Sequence, residues 1–211
     1  MDLTIDDLIL AMDSHMVTES EQKNLEQCRK NLRHFECPQN IWELRQMMRV
    51  ITDKHSLLEV GSSFGGTLLR LSRVLAGDAV IVSVDAQIDE TPKILDPLAS
   101  LKSNCGKIAN SGRTVHLILG NSHAQDVIDK VRAFGPFEFG FIDGDHSYEG
   151  VKADWENYGP MCEMIGFHDV GFGAEGCMRF WGELKAARKH RTMEFIGTEP
   201  AFGIGIIDQR N

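Results

Sequence analysis

The chain has 211 residues, of which 42% are apolar and 25% are charged, a mixture typical of a folded globular protein. This composition excludes a collagen-like, low-complexity or disordered chain. The excess of 31 acidic over 22 basic residues gives a net charge of −9, which disfavours nucleic acid or an anionic membrane surface as a partner.

The cysteines and the N-terminal residues indicate the cellular compartment in which the protein is expected. The five cysteines are odd in number and widely spaced, and they form no C-x-x-C pair, which indicates free thiols rather than a disulfide framework or a zinc ribbon. The acidic residues Asp2, Asp6 and Asp7 do not fit a secretory signal. No apolar run approaches the length of a membrane span. We therefore expect a cytoplasmic protein that neither binds nucleic acid nor enters a membrane.

The first part of the chain, residues 1–52, is predicted to form a helical extension. Residues 22–35 carry apolar side chains at helical spacing, and Pro38 restarts the chain. A further apolar stripe over residues 41–51 predicts a helix that packs against the main domain. The extension could serve as a dimer surface or as a lid, which leaves a homo-oligomer open. We assign the remaining residues, 53–211, to one main domain.

From residue 56 onward, short apolar runs alternate with helical stretches. The predicted strands are 57–60, 80–84, 115–119 and 137–142, with weaker runs at 164–167 and 203–207. The helices predicted between the first four strands are 68–75, 96–108 and 124–134. Apolar strands that alternate with helices predict an α/β fold, a three-layer, doubly wound and mostly parallel sheet. In such sheets ligands bind beyond the carboxyl ends of the strands.

A glycine-rich turn follows the first predicted strand and runs from Gly61 through Ser62 and Ser63 to Gly65. Such a turn lets a ligand approach the backbone and the N-terminus of the next helix. Its spacing, G-x-x-x-G-G, differs from the G-x-G-x-x-G of dinucleotide binders. Glu59 precedes the turn, and its carboxylate suits a ligand with an ammonium or sulfonium charge better than a pyrophosphate. A tight turn without a ligand is the alternative.

Polar residues also follow the second and third predicted strands. Asp85 ends the second strand, 24 residues after Gly61, where a carboxylate can accept hydrogen bonds from both ribose hydroxyls. A capping or solvated aspartate is the alternative. Asn121 and Ser122 follow the third strand and suit a hydrogen bond to the edge of a base.

The fourth and fifth predicted strands each end in acidic and imidazole side chains. Asp143, Asp145 and His146 follow the fourth strand, and His168 with Asp169 ends the fifth. The sheet is expected to bring both groups side by side. Asp143, Asp169 and a third ligand can then hold a divalent cation, with water and substrate oxygens completing its shell.

With these motifs the chain resembles the class I S-adenosylmethionine-dependent methyltransferases. The resemblance favours a small-molecule branch related to macrocin-type sugar O-methyltransferases and cephalosporin-hydroxylase-like proteins. It covers about residues 40–207 and rests on L-E-V-G-S-S-F-G-G-T at 58–67, F-I-D-G-D-H-S-Y-E-G-V-K-A-D at 141–154 and H-D-V at 168–170. It implies a Rossmann-like methyltransferase fold with an N-terminal helical extension.

The resemblance also implies a binding mode for the cofactor. Gly61, Ser62, Ser63 and Gly65 would contact the methionine end of S-adenosylmethionine, and Glu59 would hold its ammonium group directly or through water. Asp85 would bind the ribose, while Asn121 and Ser122 would lie at the adenine.

The catalytic assignments come from the metal-dependent members of the family. In them an aspartate stands where Asp143 stands, a general base where His146 stands, and an acid–amide pair where His168 and Asp169 stand. The resemblance thus implies a metal set of Asp143, His168 and Asp169, with magnesium or manganese as the cation. The nitrogen of His168 shifts the preference from Mg²⁺ toward Mn²⁺, Fe²⁺ or Zn²⁺. If His168 points away, Asp143, Asp145 and Asp169 form an oxygen-only set.

The expected function is a metal-assisted O-methylation of a small-molecule hydroxyl, with His146 and Asp143 as the catalytic residues. The segment 159–166 looks shortened and lacks the double glycine expected there, which predicts an atypical acceptor pocket. A nicotinamide-dependent oxidoreductase is disfavoured by the glycine spacing and by Glu59. A metal-dependent hydroxylase and a non-catalytic cofactor-binding module stay open.

Overall fold

The structure is a computed structural model that describes residues 39–87, 97–198 and 202–210. The helices predicted before Pro38 lie outside the described residues. Residues Gln39–Asn211 belong to one compact unit. The predicted domain boundary after residue 52 therefore stays a prediction, and the helix that ends just before it belongs to the same unit as the sheet.

The described residues contain seven strands: β1 (Ser56–Val60), β2 (Val80–Asp85), β3 (Thr114–Leu119), β4 (Phe139–Ile142), β5 (Met164–His168), β6 (Arg191–Phe195) and β7 (Ile204–Asp208). They form one sheet in the order β3-β2-β1-β4-β5-β7-β6. Strands β1 to β5 run parallel, and β7 pairs antiparallel with both β5 and β6. The predicted Rossmann-like, mostly parallel sheet is confirmed.

Six α-helices alternate with these strands in the described chain: α1 (Ile41–Ile51), α2 (Gly66–Ser72), α3 (Pro97–Asn110), α4 (Gln125–Arg132), α5 (Tyr148–Tyr158) and α6 (Glu175–Ala187). A short 3₁₀ turn over Gly159–Met161 follows α5. The chain winds from β1 outward to β3, then crosses back to place β4 on the other side of β1. This reversal between β1 and β4 is the place where open α/β sheets bind ligands.

The core lies along the central strands because their residues are apolar on both faces. Every residue of β4 and β5 is buried, and β2 is buried over its last five residues. A fully buried aliphatic or aromatic side chain stabilises a fold by about 1.5–3 kcal/mol relative to an exposed one. The glycines of β4 and β5 leave room for large neighbours, since a Cβ on Gly140 would meet Cys162 and one on Gly166 would meet Phe139.

Strand β6 has no counterpart among the predicted strands. Its sequence R-T-M-E-F contains two charged residues, and its side chains are exposed or only half-buried. An edge strand of this kind carries little of the continuous apolar signal that marks the central strands. It forms because its backbone pairs with the buried strand β7.

Helix α1 packs against β6 and β7, as its apolar stripe predicts. Asn40 caps it, since the side-chain Oδ1 accepts hydrogen bonds from the backbone N–H groups of Trp42 and Glu43. Among its buried residues, Glu43 is a carboxylate in an otherwise apolar face. That carboxylate bears on the site described below.

None of the helices in the described ranges is both long and apolar enough to cross a membrane. Cys105, Cys162 and Cys177 are free thiols, as the cysteine pattern predicts for these three positions. Cys28 and Cys37 lie outside the described residues.

Candidate functional site

A cavity of about 380 Å³ opens at the carboxyl ends of β1 to β4. Its volume falls within the usual range for small-molecule sites, roughly 300–1,000 Å³. Its lining comes from Val60, Gly61, Ser63, Pro97 and residues 84–87, 120–123 and 143–145. We call this feature the strand-end cavity. Seven of the predicted residues line it: Gly61, Ser63, Asp85, Asn121, Ser122, Asp143 and, from the alternative oxygen-only set, Asp145.

Gly61 brings the ends of β1 and β4 into contact. Its φ of 86° lies in the left-handed region, and a Cβ at this position would overlap the backbone carbonyl of Asp143 and the Cα of Gly144. Only glycine satisfies both conditions without strain. The N–H of Asp143 donates to the Val60 carbonyl, which fixes Asp143 beside the turn.

Glu59 lies behind the strand-end cavity. Its side chain is 0% exposed, and Oε2 accepts a 2.5 Å hydrogen bond from the Ser62 hydroxyl, which lies 2.7 Å from the Ser83 hydroxyl. Within the described chain, Oε1 of Glu59 has no hydrogen-bond partner. Burial raises the pKa of Glu59 to about 8, and the nearby charges of Asp143 and Asp85 act in the same direction. The predicted contact between Glu59 and a ligand ammonium stays a prediction.

The elevated pKa of Glu59 makes folding stability depend on pH. Because the folded pKa of about 8 lies above the ordinary value of 4.5, the folded protein binds more protons between these pH values, and stability falls as the pH rises from about 4.5 to 8. We expect Glu59→Gln to remove this contribution. Relative to wild type, the variant should gain on the order of a few kcal/mol between pH 5 and pH 9, since one pKa unit corresponds to about 1.4 kcal/mol.

Urea denaturation at both pH values, without added ligand, measures this difference. Glu156→Gln on α5 is the matched control, because its exposed side chain should change stability by no more than about 0.5 kcal/mol at either pH. Equal pH dependence in wild type and Glu59→Gln would mean that Glu59 titrates normally.

Asp85 joins the turn after β1 to the end of β2. Its Oδ2 accepts a 2.6 Å hydrogen bond from the Ser63 N–H, and its Oδ1 accepts from both the backbone N–H and the side-chain amide of Gln87. Ser63 and Gln87 both adopt positive φ values, 46° and 52°. The carboxylate thus organises the cavity wall. A ligand hydroxyl at Oδ1 would share that oxygen with the Gln87 amide or displace it.

Side chains of α5 contact the turn that follows β3. The Asn121 side chain accepts a hydrogen bond from the His123 N–H, and the Tyr158 hydroxyl donates 2.6 Å to the Ser122 carbonyl. Asp154, fully buried on α5, lies 3.2 Å from Nε2 of His123. Burial raises the pKa of Asp154 to about 6, while Ser122 and His123 act in the opposite direction. Sequence reasoning missed His123 and Asp154 as parts of this wall.

Beside the strand-end cavity, the ends of β4 and β5 bring two carboxylates and two imidazoles together. We call Asp143, His146, His168 and Asp169 the Asp–His cluster. His168 Nδ1 lies 3.0 Å from Asp143 Oδ1 and 3.2 Å from Asp169 Oδ1. His146 lies 3.4 Å from Asp143 Oδ1 through Nε2 and 2.9 Å from Asp169 Oδ2 through Nδ1. The expectation that the two strand ends meet is thus met by the geometry.

Attraction between the carboxylates and the imidazoles shifts pKa values within the Asp–His cluster. Hydrogen bonds to Asp143 and then Asp169 raise the pKa of His146 to about 10. Burial lowers the pKa of His168, but the two carboxylates outweigh burial and raise it overall. Burial likewise raises the pKa of Asp143, yet the imidazoles hold it below its ordinary value. The carboxylates thus favour the protonated forms of His146 and His168, and the imidazoles favour the ionised form of Asp143.

The Asp–His cluster fits a divalent cation. One ligand atom from each of Asp143, His146 and His168 lies within 4.8 Å of the others. In the described part of the chain, both ring nitrogens of His168 and Oδ1 of Asp169 are buried without a well-formed hydrogen bond. Such polar atoms are costly to bury unless a partner or a metal satisfies them. Carboxylates suit Mg²⁺ and Mn²⁺, and imidazoles extend the range to Fe²⁺ and Zn²⁺.

Of the other predicted residues, Ser62 and Gly65 lie near the site without lining the cavity, whereas Asp145 lines it. Ser62 is buried under the turn with Glu59. Gly65, with φ of 78°, caps the N-terminus of α2. Asp145 lines the cavity and accepts a hydrogen bond from the Ser147 N–H, which precedes α5. Sequence reasoning missed Gln39, whose side-chain Nε2 donates a 2.6 Å hydrogen bond to Asp143 Oδ2.

A profile of the family described as "Methyltransferase domain" matches residues 58–170, more than half of the chain. Among solved structures, an O-methyltransferase from Bacillus cereus in complex with S-adenosylhomocysteine is 17% identical with a TM-score of 0.61, covering 94% of this chain and 95% of that chain. The O-methyltransferase TomG from Streptomyces achromogenes, involved in tomaymycin synthesis and in complex with S-adenosylmethionine, is 16% identical with a TM-score of 0.59. The coverage is 80% of this chain and 78% of that chain.

MycE methyltransferase from the mycinamycin biosynthetic pathway, in complex with Mg, S-adenosylhomocysteine and mycinamycin VI, is 15% identical with a TM-score of 0.51. The match covers 79% of this chain and 47% of that chain. At these identities the structural matches establish a common fold. A search of curated proteins gave no match to this chain.

Proposed function

Since the chain belongs to the methyltransferase domain family, we propose that it transfers the methyl group of S-adenosylmethionine to a hydroxyl oxygen of a small molecule with the help of a divalent cation. Similar folds occur in proteins solved with S-adenosylmethionine or S-adenosylhomocysteine, which supports this choice of methyl donor. The magnesium ion in the MycE complex supports the cation.

The observation that carries the proposal is the position of Asp143. Its backbone contacts Gly61 at the wall of the strand-end cavity, and its side chain belongs to the Asp–His cluster. A cofactor in the cavity would therefore have its methionine end next to the acids and imidazoles that could hold and deprotonate an acceptor. Proximity of this kind supplies a large part of the rate enhancement in group transfer.

Within the strand-end cavity we assign the cofactor parts as follows. The methionine end lies against the backbone of Gly61 and Ser63, and the ribose lies at Asp85. The adenine lies at the turn formed by Asn121 and Ser122. Glu59 and Ser62 lie behind the turn, where the positive charge of a bound methionine ammonium would lower the pKa of Glu59 and favour its ionised form.

The transfer needs one bond exchange and one proton transfer. The acceptor oxygen attacks the methyl carbon in line with the sulfonium, and the carbon–sulfur bond breaks with its electron pair left on sulfur to give S-adenosylhomocysteine. His146, whose side chain is 43% exposed, is the group that accepts the hydroxyl proton. Asp169, 2.9 Å from Nδ1, orients the ring, and Nε2, at 3.4 Å from Asp143 Oδ1, is the nitrogen that would accept the proton.

Asp143, His168 and Asp169 would hold the cation, as the sequence predicts. A bound cation lowers the pKa of an acceptor hydroxyl and offsets the two carboxylate charges that keep His146 protonated.

The proposal is tested by methyl transfer from labelled S-adenosylmethionine to catechols and sugars, with Mg²⁺ or Mn²⁺ and after chelation. Cation-dependent labelling of a hydroxyl is the expected result. Labelling that persists unchanged after chelation would contradict the metal part.

Asp85→Ala should weaken the binding of S-adenosylhomocysteine by about 10- to 100-fold, because charge-assisted hydrogen bonds contribute about 1.5–3 kcal/mol each. Calorimetric titration of wild type and variant measures the change in dissociation constant. Asp78→Ala is the matched control, since its exposed side chain lies on the surface turn before β2. An unaltered dissociation constant for Asp85→Ala would remove Asp85 from the ribose site.

A second candidate rests on the donor set itself. Two histidines and one carboxylate, the group formed by His146, His168 and Asp143, are also the ligands of non-haem iron oxygenases. A metal-dependent hydroxylase on this fold would form product only with Fe²⁺ and O₂.

A non-catalytic binding module would bind S-adenosylhomocysteine without metal dependence and without transfer to any hydroxyl. A homo-oligomer and a cytoplasmic location stay predictions.

A further inference from the structure

Gln39 enters the site from a part of the chain that no motif marks. It stands one residue before Asn40, the N-cap of α1, and the Asn40 amide donates to the Thr198 carbonyl. One helical turn later, the buried Glu43 accepts hydrogen bonds from the N–H groups of Gly197 (2.8 Å) and Gly203 (3.0 Å). These contacts hold the start of α1 against Gly197, Thr198 and Gly203, and so fix where Gln39 lies.

The orientation of the Gln39 amide follows from its partner. A carboxylate only accepts hydrogen bonds, so the nitrogen of the amide faces Asp143, at 2.6 Å from Oδ2. The carbonyl oxygen Oε1 is then left for a partner other than Asp143. Gln39 is only 7% exposed, and across residues 39–87, 97–198 and 202–210 nothing donates a hydrogen bond to Oε1. A buried amide oxygen without a partner costs about 1–3 kcal/mol, which a ligand could recover.

The hydrogen bond from Gln39 also gives the two carboxylate oxygens of Asp143 different partners. Oδ2 is taken by the amide, and Oδ1 faces both imidazoles, at 3.0 Å from His168 and 3.4 Å from His146. Gln39 therefore presents a single oxygen of Asp143 to the interior of the Asp–His cluster. Partners that orient metal ligands in this way typically change metal affinity by about 10- to 100-fold when they are removed.

From these contacts we propose that Gln39 is a further residue of the cation site: its N–H positions Asp143, and its carbonyl oxygen is a ligand of the same cation. This inference rests on the proposed divalent cation. An amide oxygen is a hard ligand of the kind that Mg²⁺ and Mn²⁺ accept. Being neutral, it adds a ligand without adding negative charge beside two carboxylates. With Asp143 and Asp169 it gives three oxygen ligands next to the imidazoles.

The experiment measures Mn²⁺ binding to the full chain without cofactor, by electron paramagnetic resonance. Gln39→Ala should bind Mn²⁺ about 10- to 100-fold more weakly than wild type. Gln39→Glu keeps an oxygen in reach but cannot donate a hydrogen bond to Asp143 and adds a negative charge, so it should recover only part of that affinity. Gln46→Ala is the matched control, because Gln46 lies on α1, the helix that follows Gln39, and accepts a hydrogen bond from Arg49. Its Mn²⁺ affinity should equal that of wild type.

Water-proton relaxation of bound Mn²⁺ gives a second readout that a purely structural role would not change. In Gln39→Ala a water replaces the amide oxygen, so the number of metal-bound waters should rise by one. Thermal unfolding and S-adenosylhomocysteine affinity identify any variant that is misfolded.

Equal Mn²⁺ affinity in wild type and Gln39→Ala would overturn the role of Gln39, and an unchanged number of metal-bound waters in Gln39→Ala would overturn the ligand assignment. If wild type binds no Mn²⁺, the proposed cation fails as well, whereas the methyl donor is judged separately by S-adenosylhomocysteine binding.

Discussion

Gly61→Ala is expected to destabilise the protein by about 2–5 kcal/mol and to abolish binding of S-adenosylhomocysteine. A left-handed conformation costs a residue with a Cβ about 1–2 kcal/mol, and overpacking adds about 1–3 kcal/mol. Here the added methyl meets the backbone of Asp143 and Gly144, which no side-chain rotation can relieve. Because domains are stable by only about 5–15 kcal/mol, this is a large share of the total.

Urea denaturation measures the destabilisation of Gly61→Ala. The matched control is Gly106→Ala on α3, where a Cβ would meet nothing within 4 Å. Alanine in a helix is favoured over glycine by about 1 kcal/mol, so the control should be stabilised. A Gly61→Ala variant as stable as wild type, with intact cofactor binding, would show that β1 and β4 do not meet at this turn as described.

His146→Ala is expected to reduce turnover by on the order of 10²–10⁴-fold, the usual contribution of a general base. Cofactor affinity should change little, because in the structure the ring contacts Asp143 and Asp169. The measurement is the rate of methyl transfer at saturating S-adenosylmethionine with an acceptor hydroxyl compound. Free imidazole added to the buffer should restore part of the rate.

The control for His146→Ala is His55→Ala, which removes an imidazole that is 64% exposed and pairs with Asp78 on the surface. Its turnover should equal that of wild type. Unchanged turnover in His146→Ala would remove His146 from the mechanism and leave the cluster with a role in holding the cation alone.

The strand-end rule explains why much of the strand-end cavity could be predicted from the sequence. Parallel strands place their carboxyl ends at one edge of the sheet, so residues that follow β1, β2, β3 and β4 meet there whatever the details of packing. Gly61, Asp85, Asn121 and Asp143 come together for this reason. The methyltransferase interpretation of these motifs is confirmed by the family match over residues 58–170.

Gln39 could not be found in this way. It lies 104 residues before Asp143, precedes a helix and belongs to no motif, so only the packing of α1 brings it to the cluster. Asp154 belongs to the motif over residues 141–154, but the sequence does not tell which face of its helix is buried. It therefore does not predict that the carboxylate lies beside His123 rather than in solvent. In both cases the missing information is the tertiary position of a helix.

Glu59 shows a different limit. Its place near the end of β1 indicates a contact with a ligand. Side chains alternate between the two faces of a strand, however, and the turn after β1 covers the side chain of Glu59. The carboxylate is buried against Ser62 and Ser83, and any effect on a ligand ammonium passes through the turn. Sequence position fixes the end of a strand but not the depth of a side chain.

The most direct test of the methyltransferase assignment is calorimetric titration of the metal-stripped protein with S-adenosylhomocysteine, repeated with Mg²⁺ and with Mn²⁺. We expect micromolar binding to wild type and clearly weaker binding to Asp85→Ala. An absence of binding under all three conditions, with a protein that unfolds cooperatively, would contradict it. In that case the chain would keep the fold of its family without the chemistry.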